Sequence, residues 1–324
     1  MKSMKAAIIY EAGGPERLIL REREIPTPED GQVLVRVRAF GLNRSELMTR
    51  KGFSPDVVFP RILGIECVGE VVCDPSGQWS PGQRVAACMG GMGRDFDGSY
   101  AEYTVLPKAI TCPFTSDLPW HVLGAIPEMF QTAYGSLYLA LGIRAGESLL
   151  VRGATSSVGL LAIQIAKQAG LTVIATSRNP EKDAFLRDRN ADYVLVDDGN
   201  LQTKIKGIGA ADKVLELIGT NTLKDSLACA RPGGLVCMTG MLSETWSVKD
   251  FAPMDFIPST VGLTVYDSGQ FRLDSGALQL FISDVAADTI QLPVGRVFGL
   301  EGIVEAHRLM DSNSAGGKIV ITND

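Results

Sequence analysis

The run Leu149-Leu150-Val151-Arg152-Gly153-Ala154-Thr155-Ser156-Ser157-Val158-Gly159 is where the residue types of this chain come nearest to a recognisable chemistry. An apolar stretch ends in a turn of small residues, and a helical pattern starts directly behind it. A pyrophosphate needs this arrangement. Backbone N–H groups at a helix N-terminus must approach it closely, so the side chains there must be small. The G-x-G-x-x-G spacing is met in altered form, as Ala154-x-Ser156-x-x-Gly159. Gly153, Ala154, Thr155, Ser156, Ser157, Val158 and Gly159 are therefore expected to hold a dinucleotide. The competing reading is a tight turn with no ligand, and the strand–loop–helix–strand context argues against it.

The next strand ends at Thr176-Ser177-Arg178, with Lys182 one helical turn further on. NAD-binding folds place an acid near this point, about 20 residues past the glycines, to hold the ribose 2′-OH. Here the position holds Ser177. A hydroxyl, a guanidinium and an ammonium suit a 2′-phosphate, so NADPH is expected over NADH. The alternative is that Arg178 and Lys182 are solvated surface charges.

Other chemistries are scarce. The two histidines, His121 and His307, are far apart, which disfavours a His-rich zinc site. There is no G-x-S-x-G elbow for a serine hydrolase. The six cysteines form no C-x-x-C pair and read as mostly buried, reduced thiols of a cytoplasmic protein. A net charge of −6 without a basic run argues against nucleic acid as a partner. No apolar stretch approaches the ~20 residues of a membrane helix.

The elements that must position these residues fall into three regions. Up to about residue 120 the chain shows short β-type runs punctuated by Pro and Gly, at Lys5–Tyr10, Gln32–Ala39, Val68–Val72, Arg84–Cys88 and Tyr100–Leu106, with no long helical period. From about Gly124 strands and helices alternate. Strands are expected at Ser148–Arg152, Leu171–Thr176, Tyr193–Val196, Asp212–Leu217 and Leu235–Thr239. Helices are expected at Val158–Gly170, Pro180–Arg189 and Thr222–Cys229, with a turn at Pro232-Gly233-Gly234. Repeated strand–helix–strand units imply a parallel, doubly wound sheet. After about Thr260 the pattern is mixed again and ends in a strand at Lys318–Thr322. The fold class is α/β: residues 1–122 and 265–324 form a β-rich unit, and residues 123–264 form a Rossmann domain inserted in it.

Several segments occur in a familiar order: Gly41-Leu42-Asn43, Gly64-Ile65-Glu66-Cys67-Val68-Gly69-Glu70-Val71, Pro81-Gly82-Gln83-Arg84-Val85, Gly98-Ser99-Tyr100-Ala101-Glu102-Tyr103, the Gly153–Gly159 loop and Gly317-Lys318-Ile319-Val320. The set resembles the medium-chain dehydrogenase/reductase superfamily, and within it the quinone oxidoreductase (zeta-crystallin-like) branch. The resemblance implies a GroES-like catalytic domain, a Rossmann domain, a cofactor cleft between them and a homodimer. It also implies that Lys318 helps to bind the cofactor.

Zinc-dependent alcohol dehydrogenases of the superfamily carry Cys, His and Cys where this chain has Asn43, Ile65 and Glu128. Ile65 cannot ligate at all, and the segment Ala86–Phe96 holds one cysteine in place of a four-cysteine structural lobe. The expectation is an enzyme without zinc. Lacking a Lewis acid, it would reduce an acceptor that already delocalises incoming charge, a quinone or an α,β-unsaturated carbonyl. By resemblance Asn43 and Thr132 lie near the nicotinamide, where Asn43 can hydrogen-bond the acceptor oxygen; the alternatives are a turn residue and a helix-interior Thr. Glu128 is a candidate proton donor. Met48 and Ser54 stand where related bacterial quinone reductases have tyrosines near the active site. Asp197 stands where they have a tyrosine near the 2′-phosphate, which it would repel unless it points away. Arg50 and Lys51 read as solvated, or as attracting an anionic acceptor. Two other functions fit the residues: an enoyl-thioester reductase, and an NADPH-binding sensor or structural protein with little turnover.

Overall fold

A computed structural model describes residues 2–323 as two compact units. One runs through Met129 and resumes at Ser268; the other is Phe130–Asp267. In chain order the first unit supplies β1 (Ser3–Ile9), β2 (Leu18–Glu24), β3 (Gln32–Gly41), α1 (Arg44–Arg50), β4 (Arg61–Ile62), β5 (Glu66–Cys73), β6 (Arg84–Cys88), β7 (Tyr103–Pro107), β8 (Thr111–Pro113) and α2 (Trp120–Leu123). Helix α3 (Pro127–Tyr134) carries the chain into the second unit. There follow β9 (Ser148–Arg152), α4 (Ser157–Gln168), β10 (Thr172–Ser177), α5 (Asp183–Arg187), β11 (Tyr193–Val196), α6 (Leu201–Lys204), β12 (Ala211–Glu216), α7 (Thr220–Cys229), β13 (Ala230–Met238), α8 (Pro253–Phe256) and β14 (Gly262–Val265). The first unit is completed by α9 (Ser275–Ala286), β15 (Val294–Gly299), α10 (Ile303–Asp311) and β16 (Lys318–Thr322).

In the first unit β3 is the hub. It pairs antiparallel with β5, β7 and β16, in a sheet ordered β15-β16-β3-β5-β6-β8 with β7 also on β3. Strands β2, β1 and β4 form a separate three-stranded sheet. Val33, Val35 and Val37 alternate along β3 and are fully buried, the two-residue period of one sheet face turned to a core. This is the GroES-like unit.

The second unit is a six-stranded sheet ordered β11-β10-β9-β12-β13-β14, parallel at every pairing. The order reverses at β9, as in a doubly wound Rossmann fold. Leu149, Leu150 and Val151 of β9 are all fully buried, as expected of a central strand covered on both faces.

The structure differs from the sequence expectations in local ways. The first unit holds a helix, α1, within a stretch that shows no long helical period; at seven residues it is too short to establish one. Its signal is local: Asn43 is an extended N-cap (φ −126°, ψ 158°), and the Glu46 carboxylate three residues on accepts the Asn43 N–H at 3.1 Å. The strand expected at Tyr100–Leu106 begins at Tyr103; the residues before it bond to β1, with Ala101 in an isolated antiparallel bridge to Ala6 and Tyr100 O accepting the Ala7 N–H at 2.8 Å. Pro232, Gly233 and Gly234 do not interrupt β13; its pairing with β12 shifts register there. The Pro180–Arg189 segment is a 3₁₀ turn over Pro180–Lys182 followed by the short α5.

Candidate cofactor-binding loop and buried ion cluster

In the second unit the loop after β9 has the shape that its sequence suggests. Gly153 has φ +82°, a left-handed conformation that glycine takes without strain. Its N–H donates to Thr176 Oγ1 at 3.3 Å, tying the loop to β10. Ser156 is the N-cap of α4: its hydroxyl donates to Gly153 O at 2.8 Å and accepts from Gly159 N–H at 3.1 Å. Helix geometry leaves the Ser157 and Val158 N–H groups at the open end without intrahelical acceptors, the donors an anion would use. Gly159 is buried where nothing larger fits. A Cβ there would lie 2.6 Å from Gly153 O and 2.8 Å from Ala154 Cα. Thr155 is exposed and Ala154 buried, so the turn presents mostly backbone.

At the end of β10, Ser177 is buried and its Oγ accepts the Asn179 N–H at 3.1 Å. Arg178 and Lys182 are exposed, the Lys182 ammonium lying 5.1 Å from the Phe185 ring centre. Among the described residues neither makes an ion pair, so both are available to a phosphate. The adjacent acid, Asp197, points away. It accepts Arg152 Nε at 2.8 Å and Arg152 Nη2 at 2.7 Å. Arg152 is fully buried and also meets Asp225 Oδ2 at 2.8 Å. Burial disfavours its charge, but Asp197, with Glu216 and Asp225, outweighs that and raises its pKa.

The residues present fit a dinucleotide. A glycine whose Cβ would collide with the loop and a capped helix end with free donors are features of an anion cradle. Beside them Ser243, whose N–H donates to Ile218 O at 2.8 Å, has a buried hydroxyl without a partner among the described residues. Sequence reasoning missed Ser243, which lies in no motif.

In the first unit Asn43 and the Glu128 backbone meet on one buried ion pair, and the Ile65 backbone is bonded to the neighbouring Glu46. Lys318 Nζ lies 2.7 Å from Glu66 Oε1 and also donates to Asn43 Oδ1. Asn43 Nδ2 donates to Glu66 Oε1 at 2.9 Å, and Glu66 Oε2 accepts the Glu128 N–H at 2.8 Å. Glu46 Oε1 accepts the Ile65 N–H at 3.2 Å. Burial first, and the Glu66 charge second, push the Glu46 carboxyl up to about 7, while Lys318 pulls the other way. For Lys318 burial opposes the charge, but Glu66, Glu128 and Glu46 outweigh it and raise its pKa. Among the described residues no group of three His, Cys, Asp or Glu side chains is placed to hold a metal ion.

Lys318, expected on the cofactor, has a side chain 3% exposed, with its ammonium on Glu66 and Asn43. The Asn43 amide is engaged too: one N–H goes to Glu66 and Nδ2 lies 3.4 Å from Glu46 Oε1. The Glu128 carboxylate lies 3.4 Å from Ser268 Oγ. Thr132, in α3, is buried, and its carbonyl accepts the Ser136 hydroxyl.

The reading of Arg50 is corrected. The residue is not solvated but 1% exposed, bonded to Gly13 O, His307 Nδ1 and Asp311. His307 is fully buried between Arg50 and Tyr100, and His121 is on the surface. Five cysteines are buried, Cys73 is exposed, and all six are free thiols.

Two family descriptions match the chain: alcohol dehydrogenase GroES-like domain over residues 29–116, and zinc-binding dehydrogenase over residues 157–278. The human quinone oxidoreductase is 30% identical over 331 residues, covering 99% of this chain and 98% of the human protein. A 2-haloacrylate reductase of a Burkholderia species is 28% identical and covers 98% of each chain. The solved structure of an NAD-dependent alcohol dehydrogenase matches with a TM-score of 0.86 at 27% identity, over 99% of this chain and 100% of that one.

Proposed function

The chain belongs to the medium-chain dehydrogenase/reductase superfamily, in its quinone oxidoreductase branch, and from that premise we propose that it is a zinc-independent, NADPH-dependent reductase of quinones or α,β-unsaturated carbonyls. The observation that carries this reading is the buried cluster of the first unit. The positions at which zinc-dependent relatives ligate metal hold Asn43, Ile65 and Glu128, and of these Asn43 and the Glu128 backbone meet the Lys318–Glu66 pair. A site so built offers a fixed ammonium and, among the described residues, no group of three His, Cys, Asp or Glu side chains placed for a metal, which favours acceptors that need no Lewis acid.

When bound, NADPH supplies a hydride. The chain's part is to hold and to position. The backbone of Gly153–Gly159 takes the pyrophosphate at the N-terminus of α4. Ser177, Arg178 and Lys182 take the 2′-phosphate through a hydroxyl and two cations. Thr132 and Asn43 serve as positioning residues, with the Asn43 amide orientation fixed by Lys318 and Glu66. The proton comes from solvent or from Glu128. We further propose that the enzyme is a cytoplasmic homodimer built on β14, which ends the six-stranded sheet with Val265 exposed. No helix of the described residues is long and apolar enough to cross a membrane.

The test follows NADPH absorbance with quinones, enones, simple ketones and thioesters. Oxidation by a quinone or enone, with none by simple ketones, is expected. Activity restricted to enoyl thioesters would move the assignment to an enoyl-thioester reductase. Tight NADPH binding without turnover by any acceptor would indicate a sensor or structural protein.

A further inference from the structure

An acid beside a 2′-phosphate site should repel NADPH, and this chain has one. Asp197 follows β11 directly, and its N–H donates to Ser177 O at 2.9 Å. It is therefore bonded to the residue at which the second strand ends, where the ribose of a bound dinucleotide lies in this fold. Yet its carboxylate is turned inward, 8% exposed, and both oxygens are taken by the fork of Arg152. Arg152 is the residue just before Gly153, so one side chain links the start of the phosphate loop to the acid at the edge of the ribose end.

Three acids face Arg152, but they are not equivalent. Asp225 also accepts the Leu201 N–H at 2.9 Å and the Gln202 N–H at 3.2 Å. Glu216 accepts the Ile218 N–H at 2.7 Å, the Gly219 N–H at 3.0 Å and the Ser226 hydroxyl. Each of these acids is held by two backbone donors. Asp197 accepts one, from Gly199 at 3.1 Å, and takes the guanidinium through two parallel hydrogen bonds. Its charge is the one that depends most on Arg152.

Resting on the NADPH reading above, we propose that Arg152 is a specificity-determining positioning residue. By holding Asp197 in a bidentate pair it keeps that negative charge out of the 2′-phosphate site at the end of β10. Without the pair, the carboxylate would be free to turn toward a phosphate bound at the end of β10, and like charges repel. NADH lacks that phosphate, so the effect falls on the choice between the two nucleotides rather than on binding in general.

The test is the ratio of Kd values for NADH and NADPH, read by titration without any acceptor, in wild type, Asp197→Asn, Arg152→Gln and Arg152→Gln/Asp197→Asn. If Arg152 masks Asp197, Asp197→Asn changes the ratio by less than about twofold, since a neutralised charge is being removed. Arg152→Gln lowers the preference for NADPH by about tenfold or more, and adding Asp197→Asn restores it. A purely structural role for Arg152 would weaken both nucleotides alike and would not be rescued. A rise of about tenfold in NADPH preference in Asp197→Asn would overturn the proposal, because it would mean that the acid is already felt. So would a double variant with a ratio as low as that of Arg152→Gln. If Arg152→Gln alone does not fold, Arg152→Lys, which keeps the charge but loses the two-pronged fork, takes its place: a lowered NADPH preference that Asp197→Asn restores is expected, and an unchanged ratio would overturn the proposal. Equal affinity of the wild type for NADH and NADPH would instead sink the NADPH reading and is seen before any variant is made.

Discussion

Lys318 Nζ and Glu66 Oε1 lie 2.7 Å apart with side chains 3% and 0% exposed, so the two charges are sealed together inside the first unit. Such a pair contributes little net stability compared with apolar residues of the same size, yet breaking it leaves one charge buried without its partner. Lys318→Met and Glu66→Gln should each destabilise the fold by about 3–5 kcal/mol. The double variant should lose clearly less than the sum, as denaturant titration of the four proteins in one cycle would register. Additive losses would mean that the contact carries no coupling.

Gly159 is tightly confined in the loop after β9, since a Cβ there would meet Gly153 O at 2.6 Å. Gly159→Val should force the turn open and lower NADPH affinity by at least about tenfold, equivalent to about 1.4 kcal/mol. Fluorescence titration measures this directly. Unchanged affinity would remove the loop from the cofactor site.

These two sites mark what could be read from the residues. The shape of the loop was legible because it is local: strand, small residues and helix follow one another within Leu149–Gly159. The Rossmann strands were legible because buried parallel strands are continuous apolar runs. The ion cluster was not, because Asn43, Glu66 and Lys318 come from three strands or strand ends far apart in sequence, and only β3, β5 and β16 pairing as neighbours unites them. Nor could sequence tell that Asp197 turns inward, since that depends on Arg152, 45 residues away. Helix α1, at seven residues, is too short to show a helical period, and its one sequence signal is the Asn43-x-x-Glu46 cap.

Arg178 and Lys182 are exposed and without ion pairs among the described residues, which leaves their charge for a ligand. Replacing either by Ala should weaken NADPH by about tenfold, the scale of one charge-assisted hydrogen bond, and leave NADH almost unchanged. Equal losses for both nucleotides would mean that the residues do not touch the 2′-phosphate.

Arg50 Nε donates to His307 Nδ1 at 3.2 Å, so the neutral ring donates from Nε2 to the Tyr100 hydroxyl at 2.9 Å. Burial, and then the Arg50 charge, push the His307 pKa down to about 3 from 6.5. A base depressed in this way lends stability above its unfolded value, lost as pH falls from 6.5 toward 3. With two histidines in the chain, imidazole NMR can follow each one. The His307 ring should show no titration above about pH 4.5. A midpoint near 6.5 would contradict its enclosure.

Glu46 works in the opposite sense. Its carboxyl, raised from 4.5 to about 7, holds a proton in the folded state that the unfolded chain releases. Its contribution is present at low pH and declines as pH rises from 4.5 to 7. Glu46→Gln should remove about 1–3 kcal/mol of that decline. Denaturant midpoints at several pH values would show it, and an unchanged slope would mean that Glu46 is ionised throughout.

The most direct measurement is NADPH oxidation by a quinone or enone using protein treated with a strong chelator, its zinc content determined in the same sample. The expected result is undiminished turnover with far less than one zinc per chain, and a higher affinity for NADPH than for NADH. Activity that disappears with the chelator and returns with added zinc would contradict a reductase organised around the Lys318–Glu66 pair.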